Sequence, residues 1–512
     1  MQISRARLRR AIRRQTIGVD VAAALNLTGS LLKYLGLAPL FPAAIAIGYG
    51  ESWWPFALSA GIATGLGLAL EGGTRGKERV GAREGFLIVA LTWLLAAFVG
   101  ALPYLLAGDD QLSHPVDALF EGMSGFTTTG ATVLTDVEGL SRSLAMWRQF
   151  TQWLGGMGII VLALAVLPRL RIGGRQLFET EAPGPEVEPL AASIRATARR
   201  LWILYVLLTA VLALLLSVYG ALGLDERMDL FRAVAHAFTA VPTAGFSTEA
   251  RSFEGFTAVT QWTVILFMIL GGTSFALMYS AFLLGRWRLL VRDEELRLYV
   301  TLAAVATIVL AVHLAVERVL DGEAAVRHAA FQAVSLMTTT GYASADFAAW
   351  PVLAAVGLVG LMFIGGSAGS TAGSVKVVRH LFIGRILRRE LDQTVHPEVV
   401  APIRLNRVIV EERAVRAVIA FVLLYVGLFA VGTLALVVDA SRVELELSAF
   451  EALAAAAATL GNVGPAFGLA GPMGSYEPFS DVSKTILIVL MWLGRLEIIP
   501  VAVLFTRRYW RA

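Results

Sequence analysis

Long apolar runs separated by shorter polar segments make up most of this chain. A transmembrane helix needs about 20 consecutive, mostly apolar residues, and ten runs approach or exceed that length. They are residues 18–48, 54–70, 85–107, 143–167, 201–223, 258–285, 298–319, 351–382, 415–439 and 482–506. The pattern therefore predicts an all-α polytopic membrane protein with ten transmembrane helices.

A Thr- and Gly-rich stretch recurs four times, each copy between two of the long apolar runs. The copies are FTTTGAT (126–132), FTAVPTAGF (238–246), MTTTGY (337–342) and LGNVGP (460–465), and their aligned glycines are Gly130, Gly245, Gly341 and Gly464. Lipid-exposed backbone at this depth would leave its N–H and C=O groups without partners. These stretches must therefore line something polar.

The residue types in this stretch suit a binding site for a dehydrated cation. Glycine reaches backbone dihedrals that are barred to other residues, and threonine adds a hydroxyl oxygen with little bulk. Four such strands around one axis would replace the water around the ion, as potassium filters do. The predicted filter residues are Thr128, Thr129, Gly130, Thr243, Ala244, Gly245, Thr339, Thr340, Gly341, Asn462, Val463 and Gly464, with potassium bound at Thr129, Thr243, Thr340, Asn462 and Val463.

A second motif, a glycine pair or its remnant, follows each stretch at a near-constant distance. The copies are WLGG (153–156), ILGG (269–272), FIGG (363–366) and WLGR (492–495). The first glycine of each copy lies 25, 26, 24 and 30 residues after the aligned glycine of the preceding stretch. Two motifs in a fixed order indicate a fourfold internal repeat. Each repeat is expected to run in parallel as span, short pore helix, filter strand and span around one central pore. The predicted units are 1–79 with two extra spans, then repeats at 80–196, 197–294, 295–400 and 401–512.

Composition and charge agree with a membrane location and orient the chain. Of 512 residues, 57% are hydrophobic and 16% are charged, with a net charge of +4. Loops after alternate spans are rich in arginine, so the positive-inside rule places them and both termini in the cytoplasm. The arginines between Arg5 and Arg14 are interpreted as a basic helix at the membrane surface. The chain has no cysteine, which excludes disulfides and Cys-ligated zinc, and its six histidines lack metal-ligand spacing.

The third repeat contains a run of small residues inside an apolar span. The run is GGSAGSTAGS at 365–374. Because glycine costs a helix about 1 kcal/mol relative to alanine, we expect this span to break and to form an intramembrane loop below the filter. Close helix packing is sufficient to explain the other glycine pairs, and Gly155→Ser is expected to touch packing alone.

An arginine in the last span lies at the matching point of the fourth repeat. Arg495 is predicted to donate hydrogen bonds to carbonyls that the broken span frees, and Glu497 is an unsuitable direct partner for it because the two point to different helix faces. Lys376 and Arg379 are assigned to a basic cluster at the inner mouth. The predicted gate comprises Gly366, Ser367, Ala368, Gly369, Ser370, Thr371, Gly373 and Arg495.

These motifs resemble the Trk/Ktr superfamily of bacterial potassium transporters, and the two extra N-terminal spans resemble its TrkH branch. The resemblance covers about residues 80–510 and implies potassium uptake across the inner membrane by a homodimer in contact with membrane lipid. It also implies regulation by a cytosolic, TrkA-like nucleotide-binding subunit. The chain has no strand-plus-GxGxxG unit, so ATP, ADP or NAD would act only through that partner. No other cofactor and no nucleic acid is expected.

Two other transport functions are alternatives to this interpretation. A sodium-permeable member of the same fold is an alternative, although related sodium-preferring plant chains can carry serine where Gly130 stands here. An alternating-access transporter is a second alternative, but its repeats are often inverted. An enzyme is not expected, because the spans contain no carboxylate pair, HExxH or nucleophile elbow. Coupling to protons or sodium, as in a symporter, is not decided by the sequence.

Overall fold

The computed structural model describes residues 19–74, 81–165, 190–399, 401–406 and 408–511, and this part of the chain is almost entirely helical. The helices are α1 (Val21–Leu35), α2 (Leu40–Tyr49), α3 (Trp54–Gly73), α4 (Ala82–Ala107), α5 (Pro115–Phe126), α6 (Arg142–Ala165), α7 (Leu190–Ala221), α8 (Leu230–Ala240), α9 (Ala258–Gly271), α10 (Phe275–Phe282), α11 (Arg288–Arg292), α12 (Glu294–Val316), α13 (Gly322–Met337), α14 (Val352–Met362), α15 (Val377–Val395), α16 (Glu412–Arg442), α17 (Ala449–Leu460), α18 (Asp481–Arg495), α19 (Ile499–Leu504) and α20 (Arg507–Trp510). The basic N-terminal helix predicted from Arg5 to Arg14 lies outside the described residues.

A short antiparallel ladder corrects the expectation of an all-α chain. Its strands are β1 (Arg404–Leu405) and β2 (Val408–Ile409), with Arg404 opposite Ile409 and Leu405 opposite Val408. Asn406, which follows β1, has a left-handed φ of 48°, a conformation that asparagine tolerates better than most residues. The ladder lies in the connection between α15 and α16, away from the apolar runs that led to the all-α prediction.

Six helical segments in the described part are long and apolar enough to cross a membrane. They are Val21–Tyr49, Trp54–Gly73, Arg83–Ala107, Ala196–Ala221, Glu294–Val316 and Glu412–Arg442. The pair α9 and α10 makes a seventh candidate, although its two helices are bent by 105°. The remaining predicted spans contain α6, the pair α14 and α15, and the pair α18 and α19. A count of ten spans therefore stays a prediction, and residues 166 and 167 of one span lie outside the described part.

The outer helices present large apolar side chains to their surroundings. On α12, more than half of each side chain is exposed at Val305, Ile308, Val309, Val312 and Val316. Contiguous apolar surface of this extent is rare on proteins in water and marks contact with lipid or another protein. Together with the long apolar helices, it identifies a mostly helical, polytopic membrane-type fold.

Three of the predicted spans are interrupted at the second motif. The chain leaves the helix between α9 and α10, between α14 and α15, and between α18 and α19, whereas α6 continues through its glycine pair. The interpretation that packing alone explains the motif outside the third repeat is therefore wrong for the second and fourth repeats. In the second repeat, the carbonyls of Gly271 and Gly272 accept hydrogen bonds from Thr371 N (3.3 Å) and Ser367 N (2.8 Å). Donors from the segment between α14 and α15 thus replace the helical hydrogen bonds that the break removes.

Candidate functional site

Four short helices, α5, α8, α13 and α17, each lead directly into one Thr/Gly stretch. We call residues 127–131, 242–246, 338–342 and 461–465 glycine strands 1 to 4. The same backbone hydrogen bond joins each short helix to its strand: Thr129 N to Ser124 O (2.9 Å), Ala244 N to Thr239 O (2.9 Å), Thr340 N to Ser335 O (2.8 Å) and Val463 N to Ala458 O (2.7 Å). The carboxyl end of each helix therefore meets its strand, and that end of a helix favours positive charge.

The four glycine strands share one backbone conformation. The aligned glycines Gly130, Gly245, Gly341 and Gly464 have φ of 80°, 84°, 80° and 103°. Two residues earlier, Thr128, Thr243, Thr339 and Asn462 have φ of 52°, 51°, 59° and 55°. Left-handed dihedrals at three threonines and an asparagine cost free energy and persist only where the surroundings enforce them. Their repetition at equivalent positions shows that the four strands are structurally equivalent.

The four glycines pack against one another's strands in a closed ring. A Cβ atom added to Gly130 would collide with Ala244 O, one on Gly245 with Thr340 O, one on Gly341 with Val463 O, and one on Gly464 with Thr129 O. The contacts run from strand 1 to 2, 3, 4 and back to 1, so the strands surround a common axis. Only glycine leaves space for this approach and also tolerates the φ. All four glycines also line one cavity.

The predicted ligand residues fall at two different positions of this ring. The oxygens that abut the glycines belong to Thr129, Ala244, Thr340 and Val463. Thr243 and Asn462, which the sequence placed with Thr129, Thr340 and Val463, occupy the left-handed position one residue earlier in their strands. The structure thus brings all twelve predicted filter residues together. The residues at equivalent positions next to the glycines are Thr129, Ala244, Thr340 and Val463.

The run of small residues forms a loop that lies against the glycine strands. Gly373 N donates to Thr339 Oγ1 (2.8 Å), and Thr371 Oγ1 lies 3.1 Å from Thr243 Oγ1. A Cβ atom on Gly373 would lie 2.5 Å from Gly461 O. The loop between α14 and α15 therefore contacts strands 2, 3 and 4 at once.

Arg495 reaches this loop from the end of α18. Its side chain is only 2% exposed, and its Nη1 donates to the carbonyl oxygen of Thr371 at 2.9 Å. The hydrogen bond predicted from the sequence is therefore present. Its Nε and Nη2 atoms are buried and have no hydrogen-bond partner among the described residues, so a guanidinium with unused donors lies beside the ring of strands.

Lys376 and Arg379, which the sequence assigned to a basic cluster at the inner mouth, are held in a buried ion-pair cluster with an acidic residue. Both side chains are buried and bind Glu497, with Lys376 Nζ 2.9 Å and Arg379 Nη2 2.5 Å from its carboxylate oxygens. Glu497 lies in the break between α18 and α19, so this triad joins that break to the start of α15. The sequence contained a usable signal, because an acidic residue within an apolar span needs a buried partner.

We expect Glu497→Ala to destabilise the fold by about 3–5 kcal/mol, because it leaves two cations buried without their carboxylate. The measurement is the midpoint of thermal unfolding in detergent. Glu412→Ala is the control, since Glu412 also binds an arginine, Arg389, but its side chain is 55% exposed, and exposed pairs contribute little. Equal midpoints for the two variants would contradict the expectation.

A second buried ion pair, which sequence analysis missed, joins strands 1 and 2. Arg148 donates from Nε to Glu121 (2.5 Å) and from Nη1 to Ser247 O (2.8 Å). Glu121 also accepts from Val133 N (3.2 Å), and the Arg148 guanidinium lies 3.7 Å from the Phe246 ring centroid. The pair therefore ties the exit of strand 1 to the exit of strand 2 beside the cavity.

Comparisons with known proteins agree with this architecture. A family model named TrkH and described as a cation transport protein matches residues 62–511. The chain is 37% identical over 494 residues to the Trk system potassium uptake protein TrkH of Halomonas elongata, covering 95% of this chain and 98% of the relative. It is 37% identical over 477 residues to the protein of the same name from Escherichia coli K12, covering 92% and 91%.

A solved structure extends the likeness to three dimensions. The crystal structure of the potassium transporter TrkH from Vibrio parahaemolyticus matches with a TM-score of 0.86 at 33% sequence identity, covering 96% of this chain and all of that one. These relatives are transport proteins and not enzymes. Because the family model spans most of the chain and the relatives align over nearly its full length, this chain belongs to the TrkH family of cation transport proteins.

Proposed function

We propose that this chain is the pore-forming subunit of a Trk-type system for potassium uptake across a bacterial inner membrane. The observation that carries the proposal is the closed ring in which each aligned glycine abuts a carbonyl oxygen of the next strand. Rings of backbone carbonyls replace the hydration shell of a cation. The names of the relatives, all potassium uptake proteins or a potassium transporter, support potassium as the ion.

In this proposal the four strands act as the selectivity filter of one channel-like pore. The carbonyls of Thr129, Ala244, Thr340 and Val463 bind potassium, and the four helix ends behind them stabilise its charge. Each of the four repeats, at 80–196, 197–294, 295–400 and 401–512, contributes one strand. The loop at 366–373 and Arg495 form the gate on the cytoplasmic side.

Ion flux through purified protein in liposomes tests the proposed function. We expect tracer potassium to enter down its gradient and sodium to enter more slowly under the same driving force. Equal entry of both ions would favour the sodium-permeable alternative. Flux that requires exchange of ions across both faces would favour alternating access, and no potassium entry above that of protein-free liposomes would contradict the proposal.

The regulatory partner belongs to the same proposal. The positive-inside rule predicts that both termini and the arginine-rich loops lie in the cytoplasm, where a TrkA-like, nucleotide-binding subunit would bind. The same system would contain a second copy of this chain. Arg385 and Arg389 bind Glu294 and Glu412 within the chain. Within the described part of residues 379–416, the exposed arginines are Arg388, Arg404, Arg413 and Arg416. These four are the candidates for contact with a partner's acidic surface.

We expect a double variant, Arg388→Glu and Arg404→Glu, to lose co-purification with a host nucleotide-binding subunit and to lose the response of flux to added nucleotide. The contact should also weaken as salt is raised, because exposed charges are screened over about 10 Å at 0.1 M. Arg251→Glu is the control, since that arginine is exposed on the predicted outer side. Co-purification that survives the double variant would exclude these arginines as the docking surface.

A further inference from the structure

Glycine strand 2 is held by a side chain from a different repeat. Gln152 on α6 donates from Nε2 to Ala244 O at 2.7 Å and accepts at Oε1 from Phe246 N at 2.9 Å. The side chain is fully buried. Because one end of the amide must donate and the other must accept, these two partners fix the orientation of the amide group. Gln152 therefore binds the residues immediately before and after Gly245, the aligned glycine of the strand.

The other strands are held in a different way. In strands 1 and 3, the threonine before the glycine shares a hydroxyl hydrogen bond with the threonine two residues earlier, Thr129 with Thr127 and Thr340 with Thr338, both at 2.7 Å. Strand 2 has alanine and proline at the equivalent positions, so it lacks both hydroxyls. In strand 4, Asn462 binds Thr129 Oγ1 at 3.0 Å and Met491 O at 2.9 Å. Hydroxyl pairs thus order two strands, and amide side chains order the other two.

We propose that Gln152 is a positioning residue that sets the potassium preference of the pore through the carbonyl of Ala244. This inference rests on the proposed function, because Ala244 O is one of the four oxygens in the glycine ring. A carbonyl oxygen has two lone pairs. One accepts the amide of Gln152, and the other is left for the ion.

The hydrogen bond from Gln152 has two effects on the oxygen that faces the ion. It holds the carbonyl at the distance set by the ring, and it draws electron density away from the oxygen. Without it, the carbonyl is free to tilt inward and presents a stronger field. A closer and stronger set of dipoles favours the smaller, more strongly hydrated sodium ion, so loss of Gln152 lowers the preference for potassium.

The test compares two buried glutamines of the same helix in the liposome assay. Gln152→Leu is expected to lower the ratio of potassium to sodium permeability by about fivefold, the factor that corresponds to the net contribution of one hydrogen bond. Gln149→Leu is the matched control, because Gln149 is also buried on α6, one turn earlier, and neither end of its amide has a hydrogen-bond partner among the described residues. The control should keep the wild-type ratio.

A second variant separates the two hydrogen bonds and guards against misfolding. Gln152→Glu keeps an oxygen for Phe246 N, and its ionised form has no donor for Ala244 O. Measured at a pH where this carboxyl is ionised, the variant should lower the ratio at least as far as Gln152→Leu. A permeability ratio does not depend on the amount of folded protein, so a purely structural role would reduce both fluxes together and leave the ratio unchanged.

The outcomes distinguish this inference from the proposed function. A potassium-selective wild type with unchanged ratios in both Gln152 variants would overturn the inference alone. An equal fall in Gln149→Leu would also overturn it, since the effect would then follow from any change in the buried face of α6. A wild type that carries no potassium would overturn the proposed function, and this inference with it.

Discussion

Replacing Gly130 by serine is expected to reduce the preference for potassium over sodium by about tenfold. The glycine has a φ of 80°, where a side chain costs about 1–2 kcal/mol, and 1.4 kcal/mol corresponds to a factor of ten. A Cβ atom there would also collide with Ala244 O. The strand must shift or the carbonyl must tilt, and either change disturbs the ring that we propose binds the ion. Permeability ratios from reversal potentials in mixed potassium and sodium measure the effect.

The control for this variant has to be chosen from the structure. Gly155→Ser, which the sequence suggested, is unsuitable because a Cβ atom on Gly155 would collide with Phe126 O, immediately before strand 1. The contact at Gly155 is one of close packing, but it is made with the backbone that leads into strand 1, so the variant would also disturb the proposed filter. Gly223→Ser is the better control, since Gly223 has a φ of 69° and open space around its Cβ position. A wild-type ratio in Gly130→Ser, or an equal loss in Gly223→Ser, would exclude strand 1 as part of the filter.

Arg495→Ala is expected to raise basal potassium flux per folded protein by about tenfold to a hundredfold. The variant removes the hydrogen bond to Thr371 O and a positive charge beside the glycine strands. A hydrogen bond to a charged group contributes about 1.5–3 kcal/mol, and a fixed positive charge in a low-dielectric surround opposes the passage of cations. The closed state that we propose would lose both contributions. Tracer uptake into liposomes, normalised to folded protein, gives the change.

Deletion of Ser367 to Thr371 is expected to raise basal flux as well, because it removes the obstruction itself. Combined with Arg495→Ala, the deletion should give less than the sum of the separate effects, since Thr371 supplies the carbonyl that Arg495 binds. Lys484→Ala is the control. Lys484 is a buried cation of the same helix, but it binds Asp117 at 2.6 Å, about 16 Å along the helix from Arg495.

If the proposed gate is correct, Lys484→Ala differs from Arg495→Ala and from the deletion in the flux that each folded protein carries. Lys484→Ala should lower the amount of folded protein without raising the flux that each folded protein carries. Unchanged or reduced flux in Arg495→Ala and in the deletion, with normal amounts of folded protein, would contradict the gate. Arg495 would then be a structural anchor between the third and fourth repeats.

The sequence alone was sufficient to predict the membrane class, the strand positions and the broken third span. Those predictions depend on local properties: apolar length, glycine where φ is positive, and a run of small residues that weakens a helix. The same local rules could not find the breaks at Gly272 and Glu497. The first break is stabilised by donors from a loop of another repeat, and the second lies beside the cations that bind Glu497.

Only the tertiary structure decided which polar side chains meet. Lys376 and Glu497 are 121 residues apart in the chain, and Gln152 and Ala244 are 92 apart. No periodicity links such positions, because their proximity follows from the order of the four glycine strands around one axis. Burial then makes these contacts energetically necessary, since a charge or amide removed from water must find its partner within the protein. The glycine ring could be predicted from the sequence because the Thr/Gly stretch occurs once for each strand. The side chains that support the strands differ from one strand to the next, and only their neighbours in space specify them.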